Sequence, residues 1–450
     1  MTSPPRTPSP EPRSLCDRLR DAGVADTARA LTLVEEMRKR AAWEGGTWDA
    51  VFEGARAAPD PSVYFLNLSK LCDALPDGDL SAAFGNQRAV PVLGALLGGS
   101  EFVADRMARR PEVFRHLFIE GAFERRGSPE ALFAEAVEAA ARCDTEGEIK
   151  AALRRMKLRE IARIAARDLA RLADLPEVTG DLSALAAAAI EGAVRFARRQ
   201  VAARFGAPLV EADGGARREC GFVVMGMGKL GAFELNFSSD VDLIFLYDTD
   251  RGTTGGGTEG KPLTLHQFFV RLSEQVARIV SEVTEDGFVF RVDLRLRPEG
   301  TRGDLANSLR SAEIYYESWG QTWERAAMIK ARPVAGDIAV GEEFLRIIAP
   351  FVYRKHLDFT AIEEIKELKD RIDAALARSR HDAKDLKLGT GGIREIEFFV
   401  QAHQLIYGGK NPALRLRGTV AALHELERIG VVTADERAGL EAAYVYLRSL

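Results

Sequence analysis

Three aspartates stand where two short apolar segments could bring them together. Asp240 and Asp242 open the apolar segment 241–247, and Asp293 lies within a second one, 288–296. Residues two positions apart in a β-strand point to the same face, so Asp240 and Asp242 are expected to converge on one spot. Hard divalent cations such as Mg²⁺ prefer carboxylate oxygens. The spacing therefore predicts a metal site of the kind that catalyses phosphoryl transfer.

The second apolar segment adds positive charge to the third carboxylate. If residues 288–296 form a strand, Asp293 shares a face with Arg291 and Arg295. Carboxylates at short range repel one another, so they do not all ionise readily unless a metal ion or flanking arginines compensate the charge. An isolated Asp-x-Asp pair or arginine-rich strand is more often solvated surface. Their combination favours an active site.

A glycine-rich turn precedes the first two aspartates. Glycine lets a backbone approach a phosphate closely and present its N–H groups as donors. A lysine adds a positive point charge, an arginine can bind a phosphate through two hydrogen bonds, and a serine hydroxyl can donate one hydrogen bond to it. The residues predicted to hold a nucleotide or phosphate are Gly226, Gly228, Lys229, Gly231, Ser238, Ser239 and Arg295, with Arg297 as a further candidate.

Two other phosphate-binding folds fit this turn less well. Its glycine spacing is also that of a dinucleotide-binding turn, and Asp248 lies where a ribose-binding acid is expected. Only nine residues, 232–240, separate Gly231 from the next strand, however, and a parallel crossover with its helix needs about 10–12. A P-loop is excluded because no Ser or Thr follows Lys229.

The composition is that of a globular protein without a strong charge bias. Of 450 residues, 46% are hydrophobic, and 62 basic against 67 acidic residues give a net charge of −5. General nucleic-acid binders are usually basic, so no nucleic-acid partner is expected. No apolar run approaches the roughly 20 residues of a membrane span, so no membrane partner is expected either. The four cysteines form no CxxC pair, which favours a reducing, cytoplasmic location.

The aspartates belong to an α/β block between two helical regions. Apolar residues recur at three- and four-residue spacing up to about residue 204 and again from about residue 311. A linker-like cluster of Gly, Pro and charged residues fills 205–218. Within the block, the pattern predicts strands at 221–225, 241–247 and 288–296 and an amphipathic helix at about 263–285. The predicted fold class is α+β, and from about residue 311 the chain is predicted to be helical to its end.

Four segments follow from this pattern. They are a disordered tail at 1–20, an N-terminal helical domain at 21–204, a nucleotidyltransferase catalytic domain at 205–335 and a C-terminal helical bundle at 336–450. The helical pattern is still strong at 438–450 and meets no Gly or Pro stop, which leads us to expect a fragment of a longer protein.

Residues 226–248, GMGKLGAFELNFSSDVDLIFLYD, resemble the signature of the two-headed glutamine synthetase adenylyltransferase/adenylyl-removing enzymes. The resemblance extends over nearly the whole chain after about residue 20. Its further blocks are residues 287–300 (GFVFRVDLRLRPEG), 305–309, 315–332 and 387–398, with 100–114 and 164–170 resembling the family's N-terminal helical region.

The resemblance implies a polymerase-β-like nucleotidyltransferase fold and a specific reaction. In that family two homologous halves are joined in tandem. The N-terminal half removes AMP from glutamine synthetase with inorganic phosphate and releases ADP, and the C-terminal half attaches AMP from ATP. PII signalling protein and glutamine set which half works. This chain has one motif copy after a long helical region, so the resemblance implies the N-terminal half. It also implies that Asp240, Asp242 and Asp293 hold one or two Mg²⁺ or Mn²⁺ ions.

Three alternatives to AMP removal stay open at this point. The first is the forward reaction, ATP-dependent adenylylation of glutamine synthetase. The second is a catalytically silent module that senses PII or glutamine, although three retained carboxylates argue against it. The third is transfer to RNA or a small molecule, which the low basicity disfavours.

Two groups of residues outside the motif each have two interpretations. Arg394, Glu395 and Glu397 follow a glycine-rich turn, and they form either a second wall of the active site or a helix cap with an ion pair between helices. Lys330 and Arg332 contact either the protein substrate or a domain interface.

Overall fold

The structure is a computed structural model that describes residues 14–41, 43–211, 217–355 and 391–449. Helix α1 begins at Leu15, because Ser14 accepts a hydrogen bond from the backbone of Asp17, and its Leu19 is fully buried. This helix overlaps the end of the stretch 1–20 that the sequence assigned to a disordered tail. Among the described residues, no helix is long and apolar enough to span a membrane.

Helices dominate the described residues. They are α1 (Leu15–Asp21), α2 (Thr27–Arg40), α3 (Gly45–Ala57), α4 (Pro61–Ala74), α5 (Asp77–Gly85), α6 (Ala89–Gly99), α7 (Glu101–Arg109), α8 (Pro111–Phe114), α9 (Pro129–Arg142), α10 (Glu146–Leu169), α11 (Leu175–Phe205), α12 (Gly228–Gly231), α13 (Leu265–Ser281), α14 (Leu309–Ser318), α15 (Thr322–Met328), α16 (Ile338–Val352), α17 (Ile393–Tyr407), α18 (Thr419–Arg428) and α19 (Ala434–Ser449). Helices α2, α7, α9 and α13 follow Asp26, Ser100, Ser128 and Thr264, whose side chains accept hydrogen bonds from first-turn N–H groups.

The strands form two small sheets. They are β1 (Pro208–Glu211), β2 (Arg217–Glu219), β3 (Phe222–Gly226), β4 (Val241–Tyr247), β5 (Thr253–Thr254), β6 (Val292–Asp293), β7 (Ala306–Ser308) and β8 (Arg332–Gly336). The larger sheet has the order β6-β4-β3-β8, with β7 also pairing with β4. Strands β3 and β4 are antiparallel, whereas β6 and β7 run parallel to β4. The antiparallel β3–β4 connection rules out the dinucleotide-binding crossover. The α+β class is confirmed.

The larger sheet has an apolar layer on each face. On one face Phe222 and Tyr247 stack with Phe269 of α13, and Phe245 stacks with Phe222. On the other face, side chains of β3 and β4 join a buried cluster with α14, α15, α16 and α17. Burial on both faces explains why the β4 sequence is a nearly continuous apolar run rather than an alternating one.

The chain divides into two compact units, and the division differs from the predicted boundaries. One unit extends to Gly127 and includes Leu158–Asp174, and the other comprises Ser128–Lys157 and Leu175–Leu450, so the division falls within α10. Helices α9 and α11 thus belong with the sheets rather than with the preceding helices. Glu191 of α11 explains part of this, since its carboxylate accepts a hydrogen bond of 2.7 Å from the backbone N–H of Gly336 on β8.

Three secondary-structure predictions were wrong. The predicted strand 288–296 is a two-residue strand, β6, because the Asp293 carboxylate accepts a hydrogen bond from the Arg295 backbone N–H and turns the chain. The region after residue 311 is interrupted by β8, and the linker-like stretch 205–218 contains β1. Residues 387–390 of the last family-like block lie outside the described part of the chain.

Candidate active site

The glycine turn connects the carboxyl end of β3 to the short helix α12. Gly228 has a φ of +52°, and a Cβ there would lie 2.9 Å from the Asp242 carboxylate. At Gly231 a Cβ would lie 1.8 Å from the backbone oxygen of Lys330. Only glycine fits either position, so two of the glycines predicted to approach a phosphate are required by the packing of the site itself.

The three predicted carboxylates lie at one end of the sheet. Asp242 of β4 and Asp293 of β6 occupy paired positions on adjacent parallel strands. Asp240 precedes β4 by one residue, where the Arg291 backbone oxygen accepts a hydrogen bond from the N–H of Val241 and holds the two segments together. The structure therefore brings together the Asp-x-Asp pair and the third acid.

Two arginines bind these carboxylates. Arg291 donates from Nε to Asp240 at 2.5 Å, and Arg295 donates from Nε to both oxygens of Asp293, at 3.0 and 2.9 Å. The hydrogen bonds from Arg295 hold the pKa of Asp293 below its usual value, and Asp293 in turn raises the pKa of Arg295. Flanking arginines thus compensate the charge repulsion. Arg295 reaches Asp293 across a turn, whereas the sequence placed both residues on one face of a strand, because β6 ends at Asp293.

The remaining predicted phosphate ligands differ in the contacts that their side chains make. Ser238 is exposed and its backbone oxygen accepts from Arg291 at 2.6 Å, while the hydroxyl of Ser239 accepts from the Asn236 N–H at 3.3 Å. Lys229 is half-buried within α12. Arg297 instead donates to the backbone oxygens of Leu294, Thr301 and Gly303, so its guanidinium holds a loop together.

The donor chemistry of this end of the sheet suits a hard divalent cation. Asp240, Asp242 and Asp293 offer carboxylate oxygens from adjacent segments, the ligands that Mg²⁺ and Mn²⁺ prefer. Two of these carboxylates bind arginines, and the described residues contain no group of three or more His, Cys, Asp or Glu side chains arranged around one metal position. Arg291 binds only Oδ1 of Asp240, whereas Arg295 contacts both oxygens of Asp293, so Asp293 is the carboxylate whose arginine contacts compete most directly with metal binding.

A buried lysine lies behind the glycine turn, and the sequence did not reveal its role. Lys330 donates to Glu397 at 2.8 Å and to Glu234 at 2.9 Å, and its side chain is 6% exposed. Burial alone would lower the pKa of Lys330, but Glu397 and Glu234 together raise it above the usual value. Glu397 of α17 thus pairs with a lysine in the turn after α15, which is not the ion pair between two helices that was one of its two interpretations. Glu395 accepts from the backbone N–H of Gly391, just before α17. The partners lie 67 and 96 residues from Lys330, so no local pattern could reveal them.

The loop between the glycine turn and Asp240 is held by the last helices. Glu234 accepts from the backbone N–H of Thr419, the first residue of α18, at 2.7 Å. Arg448 of α19 donates to the backbone oxygen of Glu234 and to the side-chain oxygen of Asn236, both at 2.6 Å. The segment that carries Ser238 and Ser239 is therefore positioned by residues far along the chain.

Comparison with protein families gives two matches along the chain. The family model described as glutamate-ammonia ligase adenylyltransferase matches residues 90–347, which include the glycine turn and all three acids. The model described as GlnD PII-uridylyltransferase matches residues 363–450, which include α17, α18 and α19.

Curated relatives agree with the first match. Proteins named bifunctional glutamine synthetase adenylyltransferase/adenylyl-removing enzyme are 42% identical over 355 residues in Pseudomonas syringae pv. tomato, 40% over 384 in Nitrosococcus oceani and 44% over 320 in Rhodopseudomonas palustris. These alignments cover 78%, 85% and 71% of this chain, and 35%, 39% and 32% of the relatives. The chain thus spans about a third of the length of the relatives it matches. It belongs to the glutamate-ammonia ligase adenylyltransferase family.

Proposed function

We propose that this chain removes AMP from adenylylated glutamine synthetase by phosphorolysis, taking up inorganic phosphate and releasing ADP. The observation that carries the proposal is the pairing of Asp242 with Asp293 on adjacent parallel strands, beside a glycine turn that closes on Asp242. In an adenylyltransferase family, that arrangement suits transfer of a nucleotidyl group. A polymerase-β-like fold for the larger sheet is part of the same proposal.

In this mechanism the carboxylates would hold the cation that neutralises phosphate charge, and the turn positions the substrate. Asp240, Asp242 and Asp293 would hold Mg²⁺ or Mn²⁺, which when bound polarises the phosphodiester between AMP and a tyrosine of the synthetase. Lys229 and Ser239 hold the AMP phosphate against the turn. An oxygen of inorganic phosphate forms a bond to the AMP phosphorus as the bond to the tyrosine oxygen breaks. Phosphate is already an anion, so no general base is needed and catalysis comes from positioning.

The direction of the reaction has its own support. Residues 100–114 and 164–170 resemble the N-terminal helical region of the family, which precedes its adenylyl-removing half, and in this chain they lie on or next to α7, α8 and α10. The reverse direction, adenylylation from ATP, uses the same acids. The experiment below distinguishes adenylylation from AMP removal.

Regulation by PII signalling protein and glutamine is a further part of the proposal. The match of residues 363–450 to a PII-uridylyltransferase model supports it. Helices α18 and α19 of that region contact Glu234 and Asn236 in the loop before Asp240, which gives a bound regulator a physical route to the site. The unpaired cysteines are consistent with action in the cytoplasm.

The test is an incubation of the chain with adenylylated glutamine synthetase and Mg²⁺, with and without inorganic phosphate, followed by an assay for ADP. Uridylylated PII is included, since the activity is proposed to depend on it. We expect ADP only when phosphate is present, and none with Asp240→Asn. A folded Asp240→Asn variant is expected, because the Asp240 side chain is 48% exposed.

Two other outcomes would overturn parts of the proposal. Transfer of AMP from ATP to unmodified synthetase, without phosphate-dependent ADP formation, would assign the chain to the forward reaction. Neither activity, together with binding of PII or glutamine, would identify a regulatory module.

A further inference from the structure

Strand β6, which carries the third carboxylate, is too short to fix its own position. It has two residues, lies at the edge of the sheet, and places Asp293 opposite Asp242 of β4. A strand of this length forms few hydrogen bonds with its neighbour, and a slip of one residue would turn Asp293 to the opposite face of the sheet. The register of β6 therefore depends on what holds the preceding segment, residues 282–290, which connects α13 to Arg291 and β6.

A buried arginine of α10 holds the start of this segment. Arg154 is 2% exposed. It donates from Nη1 to the backbone oxygen of Ile279 at 3.3 Å, from Nε to that of Gly287 at 2.7 Å, and from Nη2 to that of Glu282. Carbonyls at the end of a helix have no partner within the helix, and a cation there also interacts favourably with the helix dipole. One guanidinium therefore joins the end of α13 to the turn that follows it.

Lys157, about one turn further along α10, holds the next part of the segment. Its ammonium donates to the backbone oxygen of Phe288 at 3.0 Å and lies 4.7 and 5.3 Å from the ring centroids of Phe288 and Phe290. The backbone N–H of Phe290 donates to the backbone oxygen of Val280 in α13 at 3.1 Å. Three residues of extended chain span at most about 11 Å, so the position of Phe290 restricts where Asp293 can lie.

Arg291 connects this segment to the first carboxylate. Its backbone oxygen accepts from the N–H of Val241 at 2.9 Å, and its Nε donates to Asp240 at 2.5 Å. Its guanidinium also lies 5.9 Å from the ring centroid of Phe288. The ring of Phe288 is thus in contact with one cation from α10 and one from the candidate site.

We propose that Arg154 and Lys157 are positioning residues for the third carboxylate, because they set the register of β6 and so place Asp293 beside Asp242. The inference rests on the proposed function, in which Asp293 holds a metal ion. Neither residue contacts the metal or the substrate in this proposal, since both act through the backbone of residues 282–290. Their removal should therefore weaken metal binding only while Asp293 is present as a ligand.

The experiment measures binding of Mn²⁺ alone to the chain by electron paramagnetic resonance, which detects the free ion. Lys157→Met keeps the apolar part of the side chain and removes the ammonium, whereas Lys157→Arg keeps a donor. Arg199→Met is the matched control, because Arg199 also donates to backbone oxygens, those of Ala141 and Cys143, and lies over an aromatic ring, that of Phe196. Circular dichroism verifies that each variant is folded.

We expect Lys157→Met to weaken Mn²⁺ binding about tenfold or more, the loss that is typical when a residue supporting a metal ligand is removed. Lys157→Arg should recover most of the loss, and Arg199→Met should match the wild type. Asp293→Asn removes the ligand itself, and adding Lys157→Met to it should cause no further loss. Additive losses, or no loss for either Lys157→Met or Asp293→Asn, would overturn the inference.

Amide hydrogen exchange gives a second readout that requires no metal. If β6 loses its register in Lys157→Met, the N–H of Val241 loses its acceptor on Arg291 and should exchange faster, while the amides between β3 and β4 keep their rates. Arg154→Lys should have the same effect, because it keeps the charge and loses part of the guanidinium contacts. Unchanged exchange in both variants would mean that the segment is held without α10, and the inference would be wrong.

Turnover separates this inference from the proposed function. If the wild type forms ADP from adenylylated synthetase and Lys157→Met needs no more Mg²⁺ for half-maximal turnover, the function stands and the positioning role is wrong. If the wild type forms no ADP but the differences in Mn²⁺ binding and exchange are found, the positioning role stands and phosphorolysis is wrong.

Discussion

Two sets of ion pairs lie on opposite sides of the glycine turn, and they differ in exposure. At the edge of the sheet, the side chains of Asp240 and Arg291 are 48% and 57% exposed. Behind the turn, those of Lys330, Glu234 and Glu397 are only 6%, 13% and 18% exposed. Exposed pairs contribute little to folding, whereas breaking a buried pair leaves an uncompensated charge in the protein interior.

For Asp240, the difference separates a proposed metal ligand from the residues that hold the site together. A carboxylate in water can exchange an arginine for a metal ion or a substrate at small cost. A buried carboxylate with a lysine and a backbone N–H cannot, and Glu234 has both. Charge type alone therefore does not identify catalytic residues here. Exposure separates Asp240 from Glu234 and Glu397, but the side chain of Asp293 is 16% exposed, within the range of those two glutamates at 13% and 18%. The four variants below test how far a division by exposure extends.

The largest effect is expected on activity, from Asp242→Asn. Loss of a carboxylate at the paired position beside Asp293 should reduce turnover by about 10²–10³-fold or more. Asp248→Asn is the matched control, since Asp248 follows the other end of β4 and pairs with Arg218. Turnover is followed by ADP release, and thermal melts show that both variants fold. Equal losses in the two variants would contradict a catalytic role specific to Asp242.

The next effect is on stability, from Lys330→Met. Removing the ammonium leaves Glu234 and Glu397 buried without a cation, which should lower the free energy of unfolding by about 3–5 kcal/mol. Urea denaturation measures it. Replacing both glutamates with glutamine in the same chain should restore much of the loss. If Lys330→Met alone lowers the free energy of unfolding by less than about 1 kcal/mol, this buried cluster contributes no more to stability than an exposed ion pair, which would contradict the prediction.

An intermediate effect is expected from Glu146→Gln, which tests a half-buried pair. Hydrogen bonds from Arg278, at 2.8 and 2.9 Å, lower the pKa of Glu146 from 4.5 to about 2. Because the pKa of Glu146 is lower in the folded state than in the unfolded state, the ion pair stabilises the fold when the pH is above the unfolded-state pKa. That stabilisation is lost as the pH falls from 4.5 towards 2. The variant should be less stable by about 1 kcal/mol at pH 7.

The pH dependence is the check on that prediction. Urea denaturation of wild type and Glu146→Gln from pH 7 to pH 3 should show the difference shrinking at the acid end. A difference independent of pH would mean that the glutamate carboxylate contributes through packing rather than charge.

The smallest effect is expected from Arg291→Gln. Its ion pair with Asp240 is more than half exposed on the arginine side, so the free energy of unfolding should change by less than about 0.5 kcal/mol. Urea denaturation at low and high salt measures it. A loss comparable to that of Lys330→Met would contradict the division by exposure.

The sequence predicted the parts of the site that are local in the chain. The strands predicted at 221–225 and 241–247 correspond to β3 at 222–226 and β4 at 241–247, and the α+β class is confirmed, because a short apolar run between turn residues has few other solutions. The position of Asp293 beside Asp242 was also predicted, because a third carboxylate was expected from a neighbouring strand. The predicted strand 288–296 was wrong because one side chain, Asp293, caps a turn that the apolar pattern does not reveal.

Long-range contacts could not be predicted in the same way. Strand β8 is short, contains Pro333 and lies between helical segments, so its own sequence carries little strand signal. Lys330 and Arg332 were assigned to either the protein substrate or a domain interface. Their partners Glu234, Glu397 and Gly231 were not predicted, because these residues become neighbours only when the sheet forms. A single sequence does not show which distant charges meet.

The contact of Arg448 with Asn236 also affects the order in which the protein matures. The two residues are 212 positions apart, so on the ribosome the loop before Asp240 emerges long before the helix that holds it. Strands β3 and β4 can pair early, since they are neighbours in the chain. The contact from Arg448 forms only after α19 has been synthesised, so the nascent chain can complete its sheet before this contact with the loop is made.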